Sequence, residues 1–83
     1  MMIALVTGAG SGIGAAIAQR LAADGHTVAV NDLSLEVAKT TVAQIHVAGG
    51  VAGAYAADVS DEAEVNAMVA TITMPVLADN PPT

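Results

Sequence analysis

The run Thr7-Gly8-Ala9-Gly10-Ser11-Gly12-Ile13-Gly14 constrains this chain more than any other feature. It lies between a short continuous apolar run, Ile3 to Val6, and a stretch in which Ile13, Ile17 and Leu21 recur at helical spacing. An apolar run of that length closed by Thr-Gly reads as a strand buried on both faces, and Gly25 after Asp24 stands where a left-handed helix C-cap is wanted. The turn therefore joins a strand to a helix. In that setting glycines let a pyrophosphate approach the main chain, receive backbone N–H groups and lie on the helix N-terminus, where any Cβ would obstruct it. Glycine alone also satisfies positive φ, so a tight turn with no ligand is the alternative reading of the same residues, outweighed by the β-α units that follow the turn. A P-loop is excluded, because it needs Lys-Ser or Lys-Thr after its last glycine and Ala15-Ala16 follow Gly14.

The pattern repeats along the chain. Thr27 to Asn31 is rich in β-branched residues and reads as a second strand, followed by a helix with Leu35, Ala38, Val42 and Ile45 on one face and Gly49-Gly50 at its end. Ala52 to Ala57 reads as a third strand; after it Ser60 can cap a third helix with the apolar face Val65, Met68, Val69 and Ile72. Asp61 and Glu62 suit the positive end of that helix. The order β-α-β-α-β-α with short connections calls for an α/β fold, a parallel sheet with right-handed crossovers, or half of a doubly wound domain of three layers. Its sheet order would be 3-2-1, which leaves Ile3 to Val6 on an edge open to self-association. All three prolines fall after Ile72, so residues 1–73 read as one partial nucleotide-binding domain and residues 74–83, from Met74-Pro75 on, as an irregular tail.

Composition agrees and excludes several classes of partner. Hydrophobic residues make up 54 % and charged ones 12 %, with one aromatic, Tyr55, so the core is assembled from Ala, Val, Ile and Leu rather than left disordered. With 83 residues, a domain buries only roughly 60 to 65 % of the surface that its unfolded chain exposes, and its stability is marginal. A net charge of -6 with Arg20 and Lys39 as the basic residues offers no patch for nucleic acid or an anionic membrane. The absence of cysteine removes disulfides, thiolate metal sites and cysteine nucleophiles, which fits the cytosol. The start lacks a basic region and a long apolar run, so the chain reads as soluble, untargeted and cytoplasmic.

Generic dinucleotide spacing can also be laid over Gly10, Gly12 and Ala15, so glycines alone do not choose among nucleotide-binding families. The fuller arrangement Thr-Gly-x-x-x-Gly-x-Gly, with Asp32 after the second strand and Ala57-Asp58-Val59-Ser60-Asp61 after the third, resembles the N-terminal region of short-chain dehydrogenases/reductases, from about Ile3 to Ile72. The resemblance implies a Rossmann-type fold and a nicotinamide dinucleotide cofactor. Residue by residue, it implies that Gly8, Ser11, Gly12, Ile13 and Gly14 line the pyrophosphate. Asp32 and Leu33 would meet the adenosine ribose, and Asp58 with Val59 the adenine.

Asp32 also bears on the choice of cofactor. An acidic residue about 20 positions past the glycines can accept hydrogen bonds from the ribose hydroxyls of NAD. The same carboxylate would face the 2′-phosphate of NADP, and two unit charges about 4 Å apart repel by roughly 4 kcal/mol at an effective dielectric near 20. Ser11, Leu33 and Ser34 supply no offsetting charge. NAD is thus expected over NADP. The alternative is that Asp32 caps the second helix, and the two roles are compatible.

The family's chemistry uses a Tyr-x-x-x-Lys pair with a serine that binds the substrate oxygen. Tyr55 is followed four positions later by Val59, Lys39 lies in the second helix, and no Asn-Asn-Ala-Gly stretch occurs. No catalytic residue is therefore assigned, and Tyr55 reads as a strand residue. His26 and His46 lack the spacing of a metal site, and the acidic run from Asp58 to Glu64 lacks the ligand pattern of a calcium loop. The expectation is the nucleotide-binding portion of an NAD-dependent alcohol/ketone oxidoreductase, truncated before its catalytic residues and inactive alone. The alternative is a non-enzymatic dinucleotide-binding or assembly module that needs a partner chain.

Overall fold

Alternating apolar runs and helical stripes fold as three βα units. The computed structural model describes the backbone of residues 3–79 and the side chains of residues 3–72. The elements are β1 (Ile3–Val6), α1 (Gly12–Ala23), β2 (Thr27–Asp32), α2 (Leu35–Val47), β3 (Val51–Ala56) and α3 (Glu62–Asp79). The strands pair in parallel in the order β1-β2-β3, with Ile3 opposite Thr27 and Thr27 opposite Val51.

Strand alternation divides the core between two faces. Val28 and Val30 of β2 pack with Ala18 and Ala22 of α1 and with Ala38 and Ile45 of α2. Ala29 packs on the other side with Ala57 and with Met68 and Ile72 of α3. The result is three layers, α1 and α2 over the sheet and α3 beneath it. Complete burial of side chains such as Val28, Val30 and Ile45 stabilises the fold by about 1.5–3 kcal/mol each.

Both helices of the upper layer end on a glycine. Gly25 and Gly49 take φ of 97° and 90°, and the following N–H groups of His26 and Gly50 return to Leu21 and Ile45. The C-cap expected at Gly25 is thus present.

Several local expectations are corrected. On α1 the buried stripe is Ala15, Ala18 and Ala22, while Ile13 is 80 % and Ile17 47 % exposed. Close approach explains this: the helix starts against the end of β1, with Gly14 beside the Gly8 carbonyl, so the sheet-facing side must be small. On α2 Thr41 is buried and Leu35 is exposed, and on α3 Val69 is exposed beside buried Met68 and Ile72. The cap of α3 is Asp61, whose Oδ1 accepts from the N–H groups of Ala63 and Glu64; the Ser60 hydroxyl instead donates to Asp58.

Strand β1 is not buried on both faces. Ile3 and Leu5 are 37 % and 40 % exposed, because β1 pairs only with β2 among the described residues. The helical backbone of α3 continues through Met74-Pro75 to Asp79, where irregular chain was expected. Proline holds a helical φ, so helical backbone can run through it, at the cost of one N–H bond and of crowding against the carbonyl four residues back. The rest of the expected tail, residues 80–83, lies outside the described residues.

Candidate nucleotide-binding site

In a parallel sheet every strand delivers its following loop to the same end, and ligands of open α/β sheets bind there. The loops after β1, β2 and β3, with the start of α1 and the end of β2 that adjoin them, carry all nine residues singled out from the sequence: Gly8, Ser11, Gly12, Ile13 and Gly14, then Asp32 at the end of β2 with Leu33, then Asp58 and Val59.

The glycine turn divides its labour. Gly8 and Gly12 adopt φ of 62° and 60°, a region that residues with a Cβ rarely adopt, and a Cβ on either would point into open space. Gly14 and Gly10 serve close packing. A Cβ on Gly14 would overlap the Gly8 carbonyl oxygen, and one on Gly10 would overlap the Val37 side chain and lie 2.9 Å from Asp32 Oδ2. The turn thus brings α1 against β1 and keeps its own outer side bare.

The start of α1 is open as well. Ser11 occupies the N-cap in extended conformation without a side-chain cap, and Ala15 N–H to the Ser11 carbonyl, at 3.3 Å, is the first hydrogen bond there. The N–H groups of Gly12, Ile13 and Gly14 lie in the first turn, where no intrahelical acceptor exists. By contrast, the Ser34 hydroxyl caps α2 by accepting from Val37 N–H, and Asp61 caps α3. The cap of α2 is therefore Ser34 rather than Asp32, which bears on the two roles considered for that aspartate.

Asp32 is half-buried between the glycine turn and α2. Its Oδ2 accepts from Gly10 N–H at 3.1 Å and its Oδ1 from Ser34 N–H at 3.4 Å. Each oxygen keeps further acceptor capacity. Leu33, 73 % exposed, and Val59, 52 % exposed, stand as apolar surfaces in neighbouring loops. Asp58 Oδ1 accepts from the Ser60 hydroxyl at 2.6 Å and the Ser60 N–H at 2.9 Å, which together hold its carboxyl below the usual range, while Glu64 Oε1 accepts Asp58 N–H at 3.1 Å.

Backbone bonds join the three loops. Ala9 N–H donates to the Asn31 carbonyl at 2.8 Å and Ala57 N–H to the Asp32 carbonyl at 3.1 Å. The Asn31 amide donates to the carbonyls of Tyr55 and Ala57 at 3.1 and 3.3 Å. Asn31 was not singled out from the sequence. Its signal was a polar residue inside a strand buried on both faces, where an amide must find partners. Tyr55 lies in β3 and packs partly against the lower core, as a strand residue does.

These residues fit a dinucleotide. Bare glycine backbone and uncapped helix N–H groups suit a pyrophosphate, and the carboxylate next to them suits ribose hydroxyls. The fit relies on neutral donors: Arg20 pairs with Asp24 at 3.3 Å at the far end of α1, and Lys39 lies exposed along α2. Among the described residues no three His, Cys, Asp or Glu side chains gather to hold a metal, and no helix is long and apolar enough to cross a membrane.

Comparison with known proteins agrees with this geometry. The chain is 51 % identical over 69 residues to the short-chain reductase protein NovJ of Streptomyces niveus, covering 83 % of this chain and 26 % of that protein. It is 45 % identical over 84 residues to the short-chain dehydrogenase/reductase homolog YusS of Bacillus subtilis, covering 94 % of this chain and 77 % of YusS. A metagenomic short-chain oxidoreductase solved in complex with NADP superposes with a TM-score of 0.83 at 35 % identity, over 87 % of this chain and 33 % of that one. The chain thus spans about a quarter to a third of NovJ and of the solved oxidoreductase. The family model for short chain dehydrogenase matches residues 2–77, past the limit near Ile72 read from the motifs, and with three parallel βα units and a glycine-rich turn after the first strand the chain belongs to that family.

Proposed function

We propose that this chain is the nucleotide-binding portion of an NAD-dependent short-chain alcohol/ketone oxidoreductase, holding the pyrophosphate and adenosine of the cofactor. The observation that carries the reading is the uncapped start of α1 beside the Asp32 carboxylate, across a turn whose outward glycines leave the backbone bare. The N–H groups of Gly12, Ile13 and Gly14 bind and orient the pyrophosphate, with Gly8 and Ser11 lining the approach. Asp32 accepts from the ribose hydroxyls, with Leu33 beside it; Asp58 and Val59 border the adenine. When bound, the cofactor supplies a nicotinamide carbon that exchanges hydride with a substrate carbon. The acid/base group for that exchange has no counterpart in the 83 residues, so the chain alone binds without turnover. A soluble, cytoplasmic setting belongs to the same proposal.

The preference for NAD over NADP rests on Asp32, since a 2′-phosphate would meet its carboxylate with no cation nearby. A solved relative holds NADP, so the likeness does not choose between the cofactors and the preference is argued from Asp32 alone. Titration calorimetry with NAD, NADP and AMP tests it. NAD should bind more tightly than NADP, and Asp32→Ala should narrow the gap. Equal affinities for the two cofactors in the unmutated chain refute the role given to Asp32. A second reading, a dinucleotide-binding or assembly module completed by a partner chain, is favoured by YusS, of which this chain covers 77 %.

A further inference from the structure

Asn31 is 1 % exposed, in the central strand of the sheet and one residue before Asp32. A buried amide costs stability unless its hydrogen-bonding groups are used, and this one donates to two carbonyls that flank the exit from β3, Tyr55 at 3.1 Å and Ala57 at 3.3 Å. Ala57 is itself buried, and its N–H is bound by the Asp32 carbonyl at 3.1 Å. The path of the chain out of β3 is thus fixed by donors and acceptors from Asn31 and Asp32. Beyond Ala57 stand Asp58 and Val59, half-exposed and exposed.

We infer that Asn31 is a positioning residue for the adenosine half of the cofactor, using its side-chain amide to hold Ala57-Asp58-Val59 at a set distance from Asp32. The inference rests on the cofactor reading proposed above. The amide reaches only the β3 side of the site. The glycine turn is tied to Asn31 by the main chain, Ala9 N–H to the Asn31 carbonyl at 2.8 Å, a bond that no side-chain substitution deletes. The two halves of the site should therefore separate on mutation, which a role in core stability alone would not produce.

The test uses the full chain, with AMP and inorganic pyrophosphate as probes followed by amide chemical shifts. Asn31→Ser and Asn31→Thr keep a hydroxyl that can donate to only one carbonyl. Each should weaken AMP about tenfold, the scale of one lost hydrogen bond, while pyrophosphate changes less than about twofold. Amide exchange should quicken at Asp58 and Val59 and stay unchanged from Gly8 to Gly14. Parallel loss of both probes, unchanged AMP binding, or unfolding of both variants overturns the inference and leaves Asn31 a core residue. An unmutated chain that binds neither probe refutes the cofactor reading and the inference with it; AMP binding that survives both substitutions refutes the inference alone.

Discussion

Replacing Gly14 with alanine probes a close approach of backbone to backbone. A Cβ there would overlap the Gly8 carbonyl oxygen and stand 2.9 Å from the Gly8 carbonyl carbon and 3.0 Å from Ala9 Cα. All three are backbone atoms, and Ala9 is fully buried, so none can swing aside as a side-chain tip would. Inserting atoms into packed surroundings costs about 1–3 kcal/mol, and the upper end applies where only backbone can yield. Alanine recovers about 1 kcal/mol of helix propensity relative to glycine. The net loss is about 2 kcal/mol, roughly a 30-fold change in the folded-to-unfolded ratio. A domain of this length has roughly 4–12 kcal/mol in total, so the change should be plain in urea unfolding followed by circular dichroism. Gly12→Ala and Gly25→Ala are the controls. Each introduces a Cβ into open space at positive φ, and each should cost about 1–2 kcal/mol, but only the former should weaken dinucleotide binding. A Gly14→Ala chain as stable as the unmutated one would refute the close-packing argument.

Three further outcomes are expected. The outer edge of β1, with Ile3 and Leu5 part-exposed and Val69 and Ile72 lining the same recess, should drive self-association, measured by size-exclusion chromatography with light scattering; a compact monomer at high concentration with strong amide protection from Ile3 to Val6 would refute it. No dehydrogenase activity should appear with NAD or NADP across simple alcohols and ketones, and substrate-dependent cofactor reduction above a no-protein control would contradict this. The Ser60 hydroxyl, then the Ser60 N–H, holds the Asp58 carboxyl below its ordinary range, so its contribution is present above the unfolded pKa and is lost as pH falls through the lower folded value. Ser60→Ala should raise the Asp58 midpoint in a carboxyl-carbon NMR titration, and an unmoved midpoint would remove the hydroxyl as the cause.

The sequence determined the order of elements and the end of the sheet at which the site lies. Ile3 to Val6, Thr27 to Asn31 and the apolar run near Ala52 are short, small and branched. Glycines and helical stripes between them leave parallel strands with crossovers as the consistent solution, and parallel strands send all their loops to one end. The glycine turn and Asp32 were legible for the same reason, since local chemistry specifies both. Tertiary structure decided which apolar residues are core. Ile13 and Ile17 fit a helical stripe as well as Ala15, Ala18 and Ala22 do, and only the approach of Gly14 to Gly8 selects the alanine face. Ser34, Asp61 and Asp32 were all chemically able to cap; where each oxygen finds an N–H depends on the path of the loop. The partners of Asn31 were likewise not legible, because they lie 24 and 26 residues away and become neighbours only when β3 pairs with β2. Periodicity records which residues share a face, whereas burial and hydrogen bonding depend on what the rest of the chain brings against that face.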